Sequence, residues 1–218
     1  ERKVVGLIPA RIGSQRVKAK NLRLIAGKPM MAYAIEALKK ARSFDDIYVN
    51  SESNIVGEVA REYGVKFYQR PEHLATSASM IDDYIYDFIW HIDCDVLAVI
   101  NPTSPFITAK EIDGCINQFL NSDCDTQLAC EDVRTHCFLD TKPINFTTNG
   151  QHPRSQDLEP VKALNFAVTT WAAKAFKKQY EERGHAVYTG KIGFYAFEGL
   201  SNIDVDWEED FLLAEVIM

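Results

Sequence analysis

Residues 4–21 read V-V-G-L-I-P-A-R-I-G-S-Q-R-V-K-A-K-N. The apolar run Val4–Ile8, closed by Pro9, has the unbroken hydrophobicity of a strand buried on both faces. It opens into a loop holding Arg11, Arg16, Lys18 and Lys20 with no acid among them. The first 28 residues carry eight Lys/Arg and one acid, a local +7 in a chain of net charge −7, so residues 29–218 carry −14. A charge run is ordinarily a solvated face. Here Pro9, Gly13 and Ser14 punctuate it at the end of a buried strand. Backbone N–H groups and long cationic side chains can converge on one polyanion in such a place.

Working outward, strands and helices alternate. The spacing predicts helices over Met30–Ala41, Ile55–Tyr63, Met80–His91, Ala109–Leu120, Ala172–Arg183 and Glu208–Ile217. Strands are expected at Asp46–Val49, Val65–Tyr68, Val96–Ile100, Thr126–Cys130, Phe166–Thr170 and Ile192–Phe197. Residues 132–165 break the rhythm with Pro143, Asn149-Gly150, Pro153 and Pro160, and are expected to form an insertion of hairpins and loops. The pattern predicts one α/β domain over 1–218, a three-layer α/β/α arrangement around a mostly parallel, Rossmann-like sheet. Ligands of such sheets bind beyond the carboxyl ends of strands. Loop 10–21 and Asn101-Pro102-Thr103-Ser104-Pro105 both follow buried strands and face the same side.

The acidic balance argues against nucleic-acid binding, and the amino-terminal cations suit a small polyanion instead. No apolar run approaches membrane-spanning length, and no leader pattern opens the chain, so a cytoplasmic protein is expected. Five cysteines lack paired metal-ligand spacing and are expected to be reduced thiols.

Neither G-x-x-x-x-G-K-[ST] nor G-x-G-x-x-G is present, which argues against a P-loop ATPase and a dinucleotide oxidoreductase. In P-A-R-x-G-S-x-R-x-x-x-K-N, Arg11 and Lys20 could neutralise a triphosphate while Ser14 and Asn21 donate hydrogen bonds. Asp-x-Asp occurs at Asp93/Asp95, Asp123/Asp125 and Asp204/Asp206. The first two precede strands, at the end away from the expected site. Around the third, Ile203, Val205 and Trp207 interleave with the acids, so the carboxylates would share one environment and could hold a hard divalent cation. Arg70, after a strand, can be read as a turn residue or as a ligand contact. Arg154, Gln156 and Asp157 cluster in the insertion.

In this order the motifs resemble those of the acylneuraminate cytidylyltransferase type of CMP-sugar synthetase. Leu7–Asn21 resembles the family's L-I-P-A-R-x-G-S opening loop, and Gly27-Lys28-Pro29-Met30 its G-K-P-[LM]. Arg70-Pro71 with Leu74-Ala75 resembles R-P-x-x-L-A, and Asn101–Pro105 resembles Q-P-T-S-P. Arg154–Leu158 resembles R-x-Q-D-L, and Ile203–Asp206 with Asp210-Phe211 and Ala214-Glu215 resembles I-D-x-D…D-F…A-E.

The resemblance implies transfer of CMP from CTP to the anomeric hydroxyl of a sugar acid, with release of pyrophosphate. Mg²⁺, or Mn²⁺ in its place, would be held by Asp204 and Asp206. It implies Arg11, Lys20 and Asp206 as catalytic residues. Ala10, Arg11, Gly13, Ser14, Lys20, Asn21, Arg70 and Ser79 would bind the nucleotide. Asn101, Thr103, Ser104, Arg154, Gln156 and Asn165 would face the sugar acid, with Arg154 or Lys162 meeting its carboxylate. It further implies a homodimer in which the 132–165 insertion reaches into the partner's site. Gln15, Asn101, Ile107 and the segment 165–171 depart from the family pattern, mostly where the sugar would sit. The acceptor expected is a nonulosonic acid, with an eight-carbon Kdo-type acid as the alternative. A nucleotide-sugar glycosyltransferase and a non-catalytic nucleotide binder are the rival readings.

Overall fold

The computed structural model describes residues 2–13 and 19–218; Ser14, assigned above to the nucleotide, lies outside the described residues together with Gln15. Strand β1 (Val4–Pro9) is followed by the short β2 (Leu24–Ile25) and β3 (Lys28–Pro29), then by α1 (Met30–Lys40). Next come β4 (Asp46–Ser51), α2 (Asn54–Glu62), β5 (Lys66–Gln69), α3 (Ile81–His91), β6 (Val96–Ile100) and α4 (Ala109–Leu120). The chain continues through β7 (Thr126–Val133), β8 (Phe138–Leu139), β9 (Lys142–Pro143) and β10 (Val161–Ala172). It closes with α5 (Ala173–Arg183), β11 (Ile192–Phe197) and α6 (Glu208–Ile217).

Seven strands form one sheet in the order β11-β7-β10-β6-β1-β4-β5. All neighbours are parallel except β10, which runs antiparallel to both β6 and β7. The period-two alternation of β1 explains the layering. Val4 and Ile8 enter one core with Ile35 and Leu38 of α1 and Ile112 and Ile116 of α4. Val5 and Leu7 enter the other with Ile85 and Phe88 of α3 and Phe176 of α5. Each such aliphatic side chain contributes about 1.5–3 kcal/mol on burial, and this two-sided packing fixes the strand that leads into the cationic loop. A third small cluster, Ile25, Met30, Val205, Phe211 and Ala214, docks α6 beside the start of α1.

The insertion differs from expectation at both ends. β7 continues to Val133 and β10 begins at Val161, so Val161–Leu164 pair with Val133–Cys130 as a ribbon leaving the sheet. The β8–β9 hairpin sits on this arm and exposes Phe138, Leu139 and Ile144. The half-exposed start of β10 lacks the apolar signal of a buried strand, which is why it reads as loop. The five cysteines form no disulfide, and burial pushes the Cys94 and Cys115 thiols up to about 12. No helix among the described residues is long and apolar enough to cross a membrane.

Candidate active site

The carboxyl ends of β1, β5 and β6 open into a cleft of about 520 Å³. Pro9 and Arg11 extend from β1, Arg70 from β5, and Asn101, Pro102 and Thr103 from β6. Lys20 and Asn21 close one side with Asp206, while Ser79 and Tyr84 come from the loop and helix after β5.

The two charge clusters near the chain termini meet here. Lys20 Nζ donates to Asp206 Oδ1 at 3.0 Å and to the carbonyl of Val205 at 2.9 Å. Asn21 Nδ2 donates to the Arg11 carbonyl at 3.1 Å and shapes the returning loop. Ala10 is buried, and its N–H donates to the Asn50 carbonyl at 2.9 Å, so it supports the loop from below. Gly13 is exposed. Ser79 Oγ donates to the His73 carbonyl at 3.0 Å and ties its loop into a turn.

Residues 203–206 are not a strand, so the alternation expected around the acids takes another form. Val205 alone of the three interleaved apolar residues is fully buried, and Trp207 is largely exposed. The Val205 N–H donates to the Thr103 carbonyl at 2.8 Å, and the Thr103 hydroxyl donates to Asp204. Asp204 therefore faces the β6 loop while Asp206 faces Lys20. Burial pushes the Asp204 carboxyl above the usual carboxylate range; the Thr103 hydroxyl opposes this and the Asp206 charge adds to it. The Asp210 carboxylate accepts the N–H groups of Asp206 (3.0 Å) and Trp207 (2.8 Å), capping α6 and fixing the backbone that presents Asp206. Arg23 pairs with Glu208 through two 2.6 Å contacts and lies 3.7 Å over the Phe211 ring, anchoring α6 to the first loop. The other Asp-x-Asp pairs are structural. Asp95 accepts the Lys3 N–H, while Asp123 pairs with the Lys191 ammonium and Asp125 accepts the Lys191 N–H.

On the β6 side, Asn101 Oδ1 accepts the Thr103 N–H at 3.2 Å, and the Asn101 N–H donates to the Ala167 carbonyl at 3.0 Å. Ser104 is buried beside Thr103. Ala167 belongs to a bulge in β10 between Leu164 and Thr169, where Phe166 takes φ +53°. That left-handed conformation costs a bulky residue about 1–3 kcal/mol and here turns the strand beneath the β6 loop. Asn165 sits in the bulge; its Oδ1 accepts the Ala167 N–H and its Nδ2 donates to Asn202 at 2.7 Å. Ile107 is buried in the core and offers the cleft no charge.

Arg154 and Gln156 are exposed on the arm and do not line the cleft of their own chain. Arg154 pairs with Asp157 at 2.7 Å, and Lys162 pairs with Asp132 at 2.5 Å. The intrachain fold thus gathers Arg11, Lys20, Asn21, Arg70, Ser79, Asn101, Thr103 and Asp206 around one cleft. It leaves the arm residues apart.

Sequence reasoning missed Asn50, Tyr84 and Asp210 as parts of the site. Tyr84 reads as one more apolar residue on α3, yet its ring lies 4.0 Å from Arg70 Cζ. Asn50 ends a strand and carries no motif. The signal for Asp210 was present as an acid at the third position of a helix.

An α/β domain with a cationic cleft beyond its parallel strands, faced by a carboxylate, belongs to the class that handles nucleoside phosphates. The chain belongs to the cytidylyltransferase family, whose model matches residues 5–216. It is 36% identical over 234 residues to an N-acylneuraminate cytidylyltransferase of Escherichia coli O18:K1:H7, covering 99% of this chain and 52% of that protein. It is 34% identical over 110 residues to a CMP-N,N'-diacetyllegionaminic acid synthase of Legionella pneumophila, covering 48% of this chain and 47% of that protein. The chain thus spans about half the length of the Escherichia coli relative, and the match to the Legionella protein covers about half of each chain. A solved CMP:2-keto-3-deoxy-manno-octonic acid synthetase complexed with CTP shares the fold, with a TM-score of 0.77 at 15% identity, covering 99% of this chain and 98% of that one.

Proposed function

We propose that this domain transfers CMP from CTP to the anomeric hydroxyl of a nonulosonic, sialic-acid-like sugar acid and releases pyrophosphate, for cell-surface glycan synthesis in the cytoplasm. The observation that carries the reading is the meeting of Lys20 and Asp206, with Arg11 and Arg70 across the same cleft. Nucleotidyl transfer needs little covalent help from protein; it needs a fixed polyphosphate and compensated charge. The hydroxyl oxygen loses its proton to solvent and forms a bond to the α-phosphorus as the bond to the bridging oxygen breaks, and pyrophosphate departs. Arg11 and Lys20 stabilise the charge gathering on it.

The carboxylates of Asp204 and Asp206 fit a hard divalent cation. Burial, and less strongly the Asp206 charge, hold Asp204 above the usual carboxylate range, and a bound cation would favour its ionised form. Mg²⁺ there would neutralise phosphate charge and orient the triphosphate. Asn101 and Thr103 would face the acceptor, while Ser104, buried and outside the cleft lining, would support their loop. The exposed Phe138, Leu139 and Ile144 on the arm support a homodimer in which the arm packs on a second copy and brings Arg154 to that copy's acceptor. The named relatives favour a nonulosonate over an eight-carbon acid, because the Kdo-type neighbour is similar only at the level of fold.

The test is CTP with Mg²⁺ against a panel of neuraminic, legionaminic, pseudaminic and Kdo-type acids, following pyrophosphate. Release with a nine-carbon acid supports the reading. Release only with Kdo selects the alternative. CTP binding with no release on any acid refutes the enzymatic reading.

A further inference from the structure

Arg70 is a cation held in the protein without a carboxylate against it. It is 3% exposed, and no ion pair engages it among the described residues. The groups it touches directly are neutral. Nε donates to Asn50 Oδ1, Nη2 reaches the Asn50 carbonyl at 3.4 Å, and the guanidinium stacks on Tyr84. These contacts engage the Nε/Nη2 edge; among the described residues no protein hydrogen bond to Nη1 is present, and Arg70 lines the cleft. Burial lowers the Arg70 pKa most; the fields of Tyr84, Glu52 and Asp87 raise it and that of Arg11 lowers it further. Glu52 Oε1 accepts the Ile12 N–H at 2.9 Å, and no ion pair joins Glu52 to Arg70 among the described residues.

Asn50 is itself costly. It is fully buried, and its Nδ2 has no hydrogen-bond partner among the described residues. An unpaired buried donor and an uncompensated buried cation both destabilise a fold. One substitution would remove both: an aspartate at 50 has no N–H to leave unpaired and would neutralise Arg70 through the same Nε contact.

We infer that Asn50, with Tyr84, is a positioning residue that holds Arg70 oriented but uncompensated, so that its charge remains available to a polyphosphate in the cleft. This deepens the cytidylyltransferase reading, but it needs only that a polyphosphate enter the cleft. A carboxylate at position 50 would favour the empty protein. The neutral amide favours the occupied one.

The test measures thermal midpoints and binding of two probes, inorganic triphosphate and CTP, for the wild type, Asn50→Asp, Asn50→Ala and Tyr84→Leu. Asn50→Asp is expected to raise the midpoint of the empty protein yet weaken triphosphate binding at least tenfold. Asn50→Ala and Tyr84→Leu are expected to weaken binding while lowering the midpoint. A merely structural residue would move stability and affinity together, so the opposed signs in Asn50→Asp carry the inference. Triphosphate binding by Asn50→Asp equal to wild type overturns it, as does an absence of triphosphate binding by the wild type. Should Asn50→Asp fail to fold, wild-type affinity in Tyr84→Leu overturns it. If the wild type binds triphosphate but shows no preference for CTP, the cytidylyl reading fails while this inference stands.

Discussion

Replacing Thr103 by valine would remove one hydroxyl from the site and leave its shape nearly unchanged. Thr103 is buried, and its hydroxyl donates to the half-buried Asp204 carboxylate. A hydrogen bond to a charged group contributes about 1.5–3 kcal/mol, and removing one partner leaves the carboxylate with the desolvation cost. Thr103→Val should therefore lower stability by about 2 kcal/mol where Asp204 is ionised in the wild type. The sign with pH follows from linkage. Burial already raises the folded-state pKa of Asp204, and loss of the hydroxyl raises it further. The difference between variant and wild type is thus fully developed above the variant's raised folded pKa and shrinks as pH falls through it, because a protonated Asp204 no longer needs the donor. Urea unfolding of both proteins at about pH 8 and about pH 4 reads this difference, with Thr103→Ser as the control that keeps the hydroxyl. An equal loss at both pH values would refute the argument, since it would mean that the methyl swap disturbs packing and not the carboxylate.

Arg11→Ala and Asp206→Ala should each slow pyrophosphate release by roughly tenfold or more, because each removes charge stabilisation from the transferring phosphate; near-normal turnover in both would contradict their roles. Thr108→Ala should cost about 0.5–2 kcal/mol in chemical denaturation, since the Thr108–Glu111 capping box at the start of α4 loses its side-chain acceptor. Gly190→Ala should lower the thermal midpoint by an amount corresponding to about 1–3 kcal/mol, because Gly190 has φ +55° and a Cβ there collides with the Asp125 carboxylate. An unchanged midpoint would mean that this turn relaxes freely.

Much of the fold could be read from the chain because the decisive segments are buried on both faces or amphipathic. The bounds of β6, α4, β11 and α6 coincide with the runs Val96–Ile100, Ala109–Leu120, Ile192–Phe197 and Glu208–Ile217. β10 was less legible, since its first half is exposed on the arm and a left-handed Phe166 breaks its alternation. In the site, Arg11, Lys20 and Asp206 carry sequence signals as charges out of balance with their surroundings. The Arg70 seat carries none. It is assembled from Asn50, Arg70 and Tyr84 on β4, the loop after β5 and α3, and contacts between separate elements leave no periodic trace. Asp204 and Asp206 were legible as a pair, but their division between Thr103 and Lys20 depends on backbone that follows no regular period.

Lys20 and Asp206 are 186 positions apart, and Val205 adds a second tie across the same gap. The cleft therefore acquires its acid only when the final helix has docked beside the first loop. With α6 undocked, Arg11, Lys20 and Arg70 would line the cleft without that acid. Loosening α6, for example at Arg23 or Asp210, would therefore withdraw Asp206 from Lys20 without touching the sheet.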